Sequence, residues 1–409
     1  MGLERIKSVM KSANNPQKGF DSVLVGGTNG KGSVATLLAN LMGTKHPSVG
    51  LYTSPHIFAP SERVRINGKP VPLSKLEELS RKVEKLSRKA EVLLTPFELF
   101  TAVAFLAFAQ ARVDWVVAEV GMGGRLDATN ILDAQLSLIT SVGLEHREWL
   151  GNTLSQVAWE KAGIIKDGRD VVVGRLPQEA MDVVLGEVKN RGARLHSYGR
   201  EYCIRVTKKS LEGVEFFYFS REIPKGIGNL RVRGLGEHFA LNAAMALRAF
   251  EILCGSHSLL ELEGELNRVM TDAWPSGRGQ VVSLNGRIRI LDVAHNPQGV
   301  DALCGYLQGI LESPPLVLFS VLKDKDWVEM VRRLKGSFGE ERLIFVALED
   351  ERVVGSSEIV TKCGVRSWEP DEAREVLLGD EATVVVCGCF AVVRWALINL
   401  QSEGWVEDD

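Results

Sequence analysis

The chain is poor in cysteine, with six in 409 residues (Cys203, Cys254, Cys304, Cys363, Cys387 and Cys389) and no pair at zinc-ligand spacing. That excludes a disulfide scaffold and a zinc finger, and Cys387-Gly388-Cys389 reads as a strand end. It has no excess of either charge: 49 Lys+Arg stand against 52 Asp+Glu, a formal net charge of −3. No basic field announces nucleic acid or an anionic membrane, so small-molecule partners are expected. Long apolar runs are missing. The longest, residues 97–109, is interrupted by Glu98 and falls short of the roughly 20 residues that span a bilayer, so it reads as a buried helix. The start, Met1-Gly2-Leu3-Glu4-Arg5-Ile6, carries acid and base with no apolar signal core, and a cytoplasmic protein is expected. Low-complexity tracts and short internal repeats are absent as well.

What is present is globular: 45% apolar and 25% charged residues. At about 150 residues per domain, the length predicts two or three domains. Short Val- and Ile-rich runs alternate with longer helical patterns, the signature of βαβ units on a parallel sheet. The expected strands are 23–25, 115–120, 136–141, 171–173, 288–293, 316–321, 343–347 and 383–387. Residues 73–89, charged with apolar positions at helical spacing, read as a solvated surface helix. Residues 202–206 and 214–219 read as a β-hairpin around Lys208-Lys209-Ser210-Leu211-Glu212-Gly213, and 237–253 as a long helix. Ala273-Trp274-Pro275-Ser276-Gly277 is a turn-rich break, followed by a hairpin with an Asn285-Gly286 turn. The expected domains are therefore 1–275 and 276–409.

Chemistry concentrates at the ends of strands. Val23-Leu24-Val25 runs into Gly26-Gly27-Thr28-Asn29-Gly30-Lys31-Gly32-Ser33 and an apolar helix. Glycines let successive N–H groups converge on phosphate oxygens, the helix start adds partial positive charge, and Lys31 supplies a cation. The spacing departs from the standard Walker A, with three residues between Gly26 and Gly30 and a glycine between Lys31 and Ser33. A ligand-free glycine-rich turn is the bland alternative. Glu119 closes an apolar strand at the edge where open α/β sheets bind ligands, and a carboxylate there suits Mg²⁺ or caps the glycine turn after it. His146 lies beyond the next strand, at the same edge, as a ligand or a structural histidine. Lys161, in Trp159-Glu160-Lys161-Ala162-Gly163, reads alone as a snorkelling surface lysine. In Asp292-Val293-Ala294-His295-Asn296-Pro297, capping accounts for Asn296 and Pro297 but not for Asp292 and His295. Residues 322–326 read as a solvated loop.

Together, Gly27 through Ser33, Thr53-Ser54-Pro55-His56, Glu119 through Asn130, Glu160 through Gly163 and Asp292 through Pro297 resemble the folylpolyglutamate synthase/dihydrofolate synthase family of Mur-type ATP-dependent amide ligases. The resemblance runs from Gly2 to about residue 396. It implies an α/β fold, with a P-loop-containing Mur-ligase-like N-terminal domain on a parallel sheet and a smaller Rossmann-like C-terminal domain. It implies a monomeric ligase that adds L-glutamate to dihydropteroate, to reduced folates, or to both, through an acyl phosphate. Such chemistry is mostly positioning and charge neutralisation.

By the same resemblance, Asn29, Gly30, Lys31, Gly32, Ser33, Asn242, Arg278 and Asp292 bind ATP. Ser33, Ser54, Glu119, His146 and a carbamylated Lys161 hold Mg²⁺, two ions in all. Lys31, His146, Lys161 and His295 serve catalysis, with His295 near the acyl phosphate and glutamate. Thr95, Pro96, Phe97, Glu98, Leu126, Asp127 and Ala128 face the pterin. The family's helix ahead of Gly2-Leu3-Glu4-Arg5 has only Met1 in its place, so part of the pterin-side wall is expected to be missing. The match also departs at Phe239 (commonly Gln), Ser276-Gly277-Arg278-Gly279, Cys389 (commonly Ser), Val293 (Gly) and Glu145 (Asp). A cell-wall amino-acid ligase of the Mur group, and a nucleotide-binding regulatory switch without amide chemistry, share the glycine loop. Thr53 through His56 disfavours the first, and Asp292 with His295 the second.

Overall fold

The computed structural model describes residues 2–272 and 274–405. The chain divides into two compact units: Met1–Arg205, Phe216–Arg231 and Ala240–Trp274 form the first, and Val206–Glu215, Val232–Phe239 and Pro275–Asp409 the second. Ala273 of the turn-rich break lies outside the described residues.

The first unit is built on eight strands: β1 (Asp21–Gly26), β2 (Val49–Tyr52), β3 (Val64–Ile66), β4 (Lys69–Pro70), β5 (Trp115–Glu119), β6 (Leu136–Ile139), β7 (Asp170–Val173) and β8 (Arg194–Ser197). Their order is β4-β3-β2-β5-β1-β6-β7-β8. β1 is buried along its whole length after Asp21, which is why it reads as a continuous apolar run with no alternation. It pairs in parallel with β5 and β6, so all three release their loops at one edge. The sheet is not wholly parallel: β3 pairs antiparallel with β2 and β4 with β3, making a short antiparallel margin. Strands β2, β3, β4 and β8 hold two to four residues each and escape a reading based on periodicity.

The apolar helix Pro96–Ala111 is buried as expected, and Leu73–Lys89 buries one stripe, Leu76, Leu79 and Val83, while its charges face water. The β-extension is larger than the expected hairpin. β9 (Tyr202–Ser210), β10 (Gly213–Ser220) and β11 (Ile227–Val232) form a three-stranded sheet in the order β11-β10-β9. Lys208 and Lys209, which suggest a loop by their charge, are exposed positions on an edge strand, where lysines are at home.

The second unit carries a six-stranded sheet of β12 (Gln280–Leu284), β13 (Arg287–Asp292), β14 (Leu316–Phe319), β15 (Leu343–Val346), β16 (Arg366–Trp368) and β17 (Thr383–Cys387). The order is β12-β13-β17-β14-β15-β16, parallel except for β12. The β12–β13 turn is Asn285-Gly286 with φ of 51° and 78°, the left-handed pair that a two-residue hairpin requires. Asn296 caps the next helix, accepting from Gly299 N at 2.8 Å, with Pro297 as its first residue. No helix among the described residues is long and apolar enough to cross a membrane.

Candidate active site

β1 ends at Gly26 and the chain turns through residues 27–30 into the helix Lys31–Gly43. Gly27 and Gly30 hold φ of 144° and 86°, which residues with a Cβ rarely adopt. The turn is clamped from the segment after β6. Asn29 N donates to Ser141 Oγ at 2.9 Å, Thr140 Oγ1 donates to Asn29 O at 2.6 Å, and Thr28 N donates to Ser141 O at 2.9 Å. For this reason β6 stops at Ile139, short of the expected residue 141: the next two residues turn their hydroxyls to the glycine loop. Lys31 donates Nζ to Gly27 O (2.9 Å) and Thr28 O (3.1 Å), which folds its cation back over the loop. The loop thus gathers a helix N-terminus and an ammonium, the elements of an anion site.

Glu119 ends β5 in register with Val25 of β1, one strand away from the loop. It is only 4% exposed, and it turns toward the helix start, since a Cβ on Gly32 would stand 3.3 Å from its Oε2. The same oxygen accepts from Ser54 N at 2.8 Å, which draws the Thr53–His56 stretch to the sheet edge. Glu62 organises the next few residues, accepting from Ile57 N, Phe58 N and Ala59 N at 2.9, 2.7 and 2.5 Å.

Lys161 is not a snorkelling surface lysine. Its side chain is 1% exposed and donates Nζ to Glu145 Oε1 at 2.6 Å. Burial, opposed by Glu145 and reinforced by Lys31, brings its pKa down to about 8. Burial also works against the charge of Glu145, but Lys161, Lys31 and His146 outweigh it and hold that carboxyl at about 2. Glu145 thus pairs directly with Lys161 and feels the positive charge of the loop lysine. His146 itself adopts a left-handed backbone, φ 46°, at the start of the turn Arg147–Leu150. Asn242 is buried and sets its amide against Gly30.

The expected pterin-facing residues have well-defined local partners. Thr95 and Glu98 form a capping box for Pro96–Ala111, and Glu98 also accepts from Arg5 Nε at 3.1 Å. Phe97 packs its ring on Gly121, two residues beyond Glu119. Asp127 accepts from Met122 N and Thr129 N at 3.0 Å each, and burial raises its pKa above the usual carboxylate value. Ala128 is buried beside it and Leu126 is exposed.

In the second unit, Asp292 ends β13 and accepts from Gly279 N (2.7 Å) and Ala294 N (2.8 Å). Burial raises its pKa, with the Arg278 guanidinium pulling the other way. Arg278 lies 5.0 Å from the centre of the Phe390 ring, and the His295 ring lies 6.3 Å from the same ring. Asp292, Arg278 and His295 therefore gather at one end of that sheet. Thr140, Ser141 and Glu62 are site-building residues that sequence reasoning missed, and Glu145 figures there only as a departure from the family's Asp, with no role. Only Glu145 left a signal, standing beside His146 in a loop after an apolar strand.

Among the described residues no three His, Cys, Asp or Glu side chains form a group able to hold a metal by themselves. The donors near the loop, the Glu119 carboxylate and the Ser33 hydroxyl, fit Mg²⁺, which typically takes one or two protein oxygens and completes its shell with phosphates and water. Lys161 as it stands is a cation paired with Glu145 and cannot ligate a metal without added carboxylate.

The fold and loop define a nucleotide-site ligase architecture, and the Mur ligase middle domain family matches residues 25–250. A curated relative, the dihydrofolate synthase/folylpolyglutamate synthase of Bacillus subtilis (strain 168), is 35% identical over 342 residues, covering 82% of this chain and 78% of the relative. The Mycobacterium tuberculosis folylpolyglutamate synthase complexed with ADP superposes with a TM-score of 0.86 at 30% identity, covering 97% of this chain and 94% of that one. A bifunctional folylpolyglutamate synthase/dihydrofolate synthase with Mn, AMPPNP and L-glutamate bound gives 0.82 at 30% identity, covering 98% and 94%. The chain belongs to the folylpolyglutamate synthase/dihydrofolate synthase family.

Proposed function

We propose that this chain is an ATP- and divalent-cation-dependent ligase that joins L-glutamate to dihydropteroate and to reduced folates, acting as a monomer in the cytoplasm. The observation that carries this reading is the buried Glu119 carboxylate facing the first turn of the Lys31–Gly43 helix beside the glycine loop. The family relationship supports it, and disfavours a cell-wall ligase or a regulatory switch.

In this reading the N–H groups of residues 29–33, the helix start and Lys31 neutralise the triphosphate. Glu119, Ser33, Ser54 and His146 would hold Mg²⁺, and the cation would supply further charge neutralisation at the phosphates. An acceptor carboxylate oxygen attacks the γ-phosphorus and ADP leaves. The glutamate amine then attacks the acyl carbon, expels phosphate and loses a proton. Asn242 contacts adenine, Arg278 and Asp292 the nucleotide, and His295 the acyl phosphate and glutamate. Thr95, Pro96, Phe97, Glu98, Leu126, Asp127 and Ala128 face the pterin.

Carbamylation of Lys161 suits its surroundings. A lysine with a pKa of about 8 keeps a fraction of neutral amine near neutral pH, the form that adds carbon dioxide. The resulting anion beside Glu145 would need a second cation.

Incubating the purified protein with ATP, labelled glutamate and either dihydropteroate or tetrahydrofolate tests the reading. Glutamate incorporation with both acceptors is expected, and none with either would reject it. ATP hydrolysis without glutamate or acceptor would point to a switch instead.

A further inference from the structure

Far from the glycine loop, a thiol meets both a thioether and an imidazole near the C-terminal ends of two helices. The thiol of Cys254, the last residue of Glu237–Cys254, lies 3.8 Å from Met42 Sδ and 3.7 Å from His46 Nε2. Met42 belongs to the last turn of Lys31–Gly43. His46 N donates to Met42 O at 2.9 Å, so the coil carries on and sets His46 four residues from Met42 on the same side.

A thiol has one proton to offer two acceptors. Two donors held about 2.0–2.3 Å from one metal at tetrahedral or trigonal angles stand about 3.3–4.0 Å apart, and both separations fall in that range. The donor set is thiol, thioether and imidazole. That combination favours a soft monovalent ion over Mg²⁺ or Zn²⁺. Met42 is buried, whereas Cys254 and His46 are partly exposed, which gives an ion a way in. The His46 ring is steadied by Trp115, with centroids 5.7 Å apart.

We propose that Cys254, Met42 and His46 form a binding site for Cu(I), separate from the nucleotide site. The ion replaces the thiol proton, which is released to solvent, and no electron is transferred. The site joins the helix that begins at the glycine loop to the helix that carries Asn242. Asn242 meets Gly30 twelve positions before Cys254 meets Met42 on the same two helices, so they run parallel in matched register.

The test is titration of the whole protein with Cu(I) buffered by bicinchoninate, together with Cys254→Ser, Met42→Leu and His46→Gln. One ion per chain and a raised melting temperature are expected for the unmodified protein. Cys254→Ser should weaken binding at least 100-fold, and each of the other two at least 5-fold. All three variants are checked for a cooperative melt in the absence of copper. Undiminished Cu(I) binding in Cys254→Ser, or in both of the other folded variants, would overturn the site. So would no binding to the unmodified protein.

Discussion

The side-chain amide of Asn242 rests against Gly30 so closely that a Cβ on that glycine would stand 2.5 Å from Oδ1. A helix from late in the chain is thereby fitted to the loop after the first strand, and the fit depends on a missing methyl group.

Gly30→Ala must relieve both that contact and a φ of 86°. Displacement of the loop by about 1 Å is expected to lower kcat/KM for ATP on the order of 100-fold. Circular dichroism should report an intact fold, and steady-state kinetics reads the loss.

Glu119→Gln keeps the shape of the side chain and an oxygen to accept from Ser54 N. Glutamate incorporation should fall by on the order of 100-fold or more if, as proposed, this carboxylate holds the cation at the phosphates. The melting temperature should move little. An unchanged rate at saturating Mg²⁺ would show that the carboxylate does not serve the reaction.

Lys161→Ala leaves Glu145, whose side chain is 12% exposed, charged and without the cation it is paired with. Removing one partner of a buried pair costs about 3 kcal/mol, and urea denaturation should show a loss of that order. The double variant Lys161→Met/Glu145→Leu should recover most of it.

His238 gives a pH signature in the second unit. Burial and the Arg278 guanidinium bring its pKa down to about 4 from the usual 6.5. Above that usual value the ring is neutral whether the chain is folded or not. As pH falls from about 6.5 toward 4, the unfolded chain binds a proton that the folded one does not, so stability declines, then levels off below 4. Subtracting the urea midpoints of His238→Gln from those of the unmodified protein, at pH 7, 5.5 and 4.5, should isolate that decline.

Much of this site is legible in the amino-acid order alone. Strand–glycine–helix chemistry locates Lys31, and an acid at the end of an apolar strand locates Glu119, because both depend on residues adjacent in sequence. The burial of Lys161 is invisible there: only Glu145, sixteen residues earlier, distinguishes it from an exposed helical lysine. The clamp of Thr140 and Ser141 on Asn29 spans more than a hundred residues and leaves no local trace. Strands β2, β3, β4 and β8 escape notice because two to four residues cannot display a period. The extra length of β9 is hidden because its exposed lysines imitate a loop.

The pairing of Val25 with Glu119 has a bearing on where this chain can change length. Side chains along a strand alternate between faces, so a single residue inserted within β5 would swing the acid to the opposite side of the sheet. Added residues in the loops at β4 or β8 would leave it untouched. Tolerance to insertion should therefore rise outward from the centre of the sheet, with the middle strands acting as a ruler and the margins as slack.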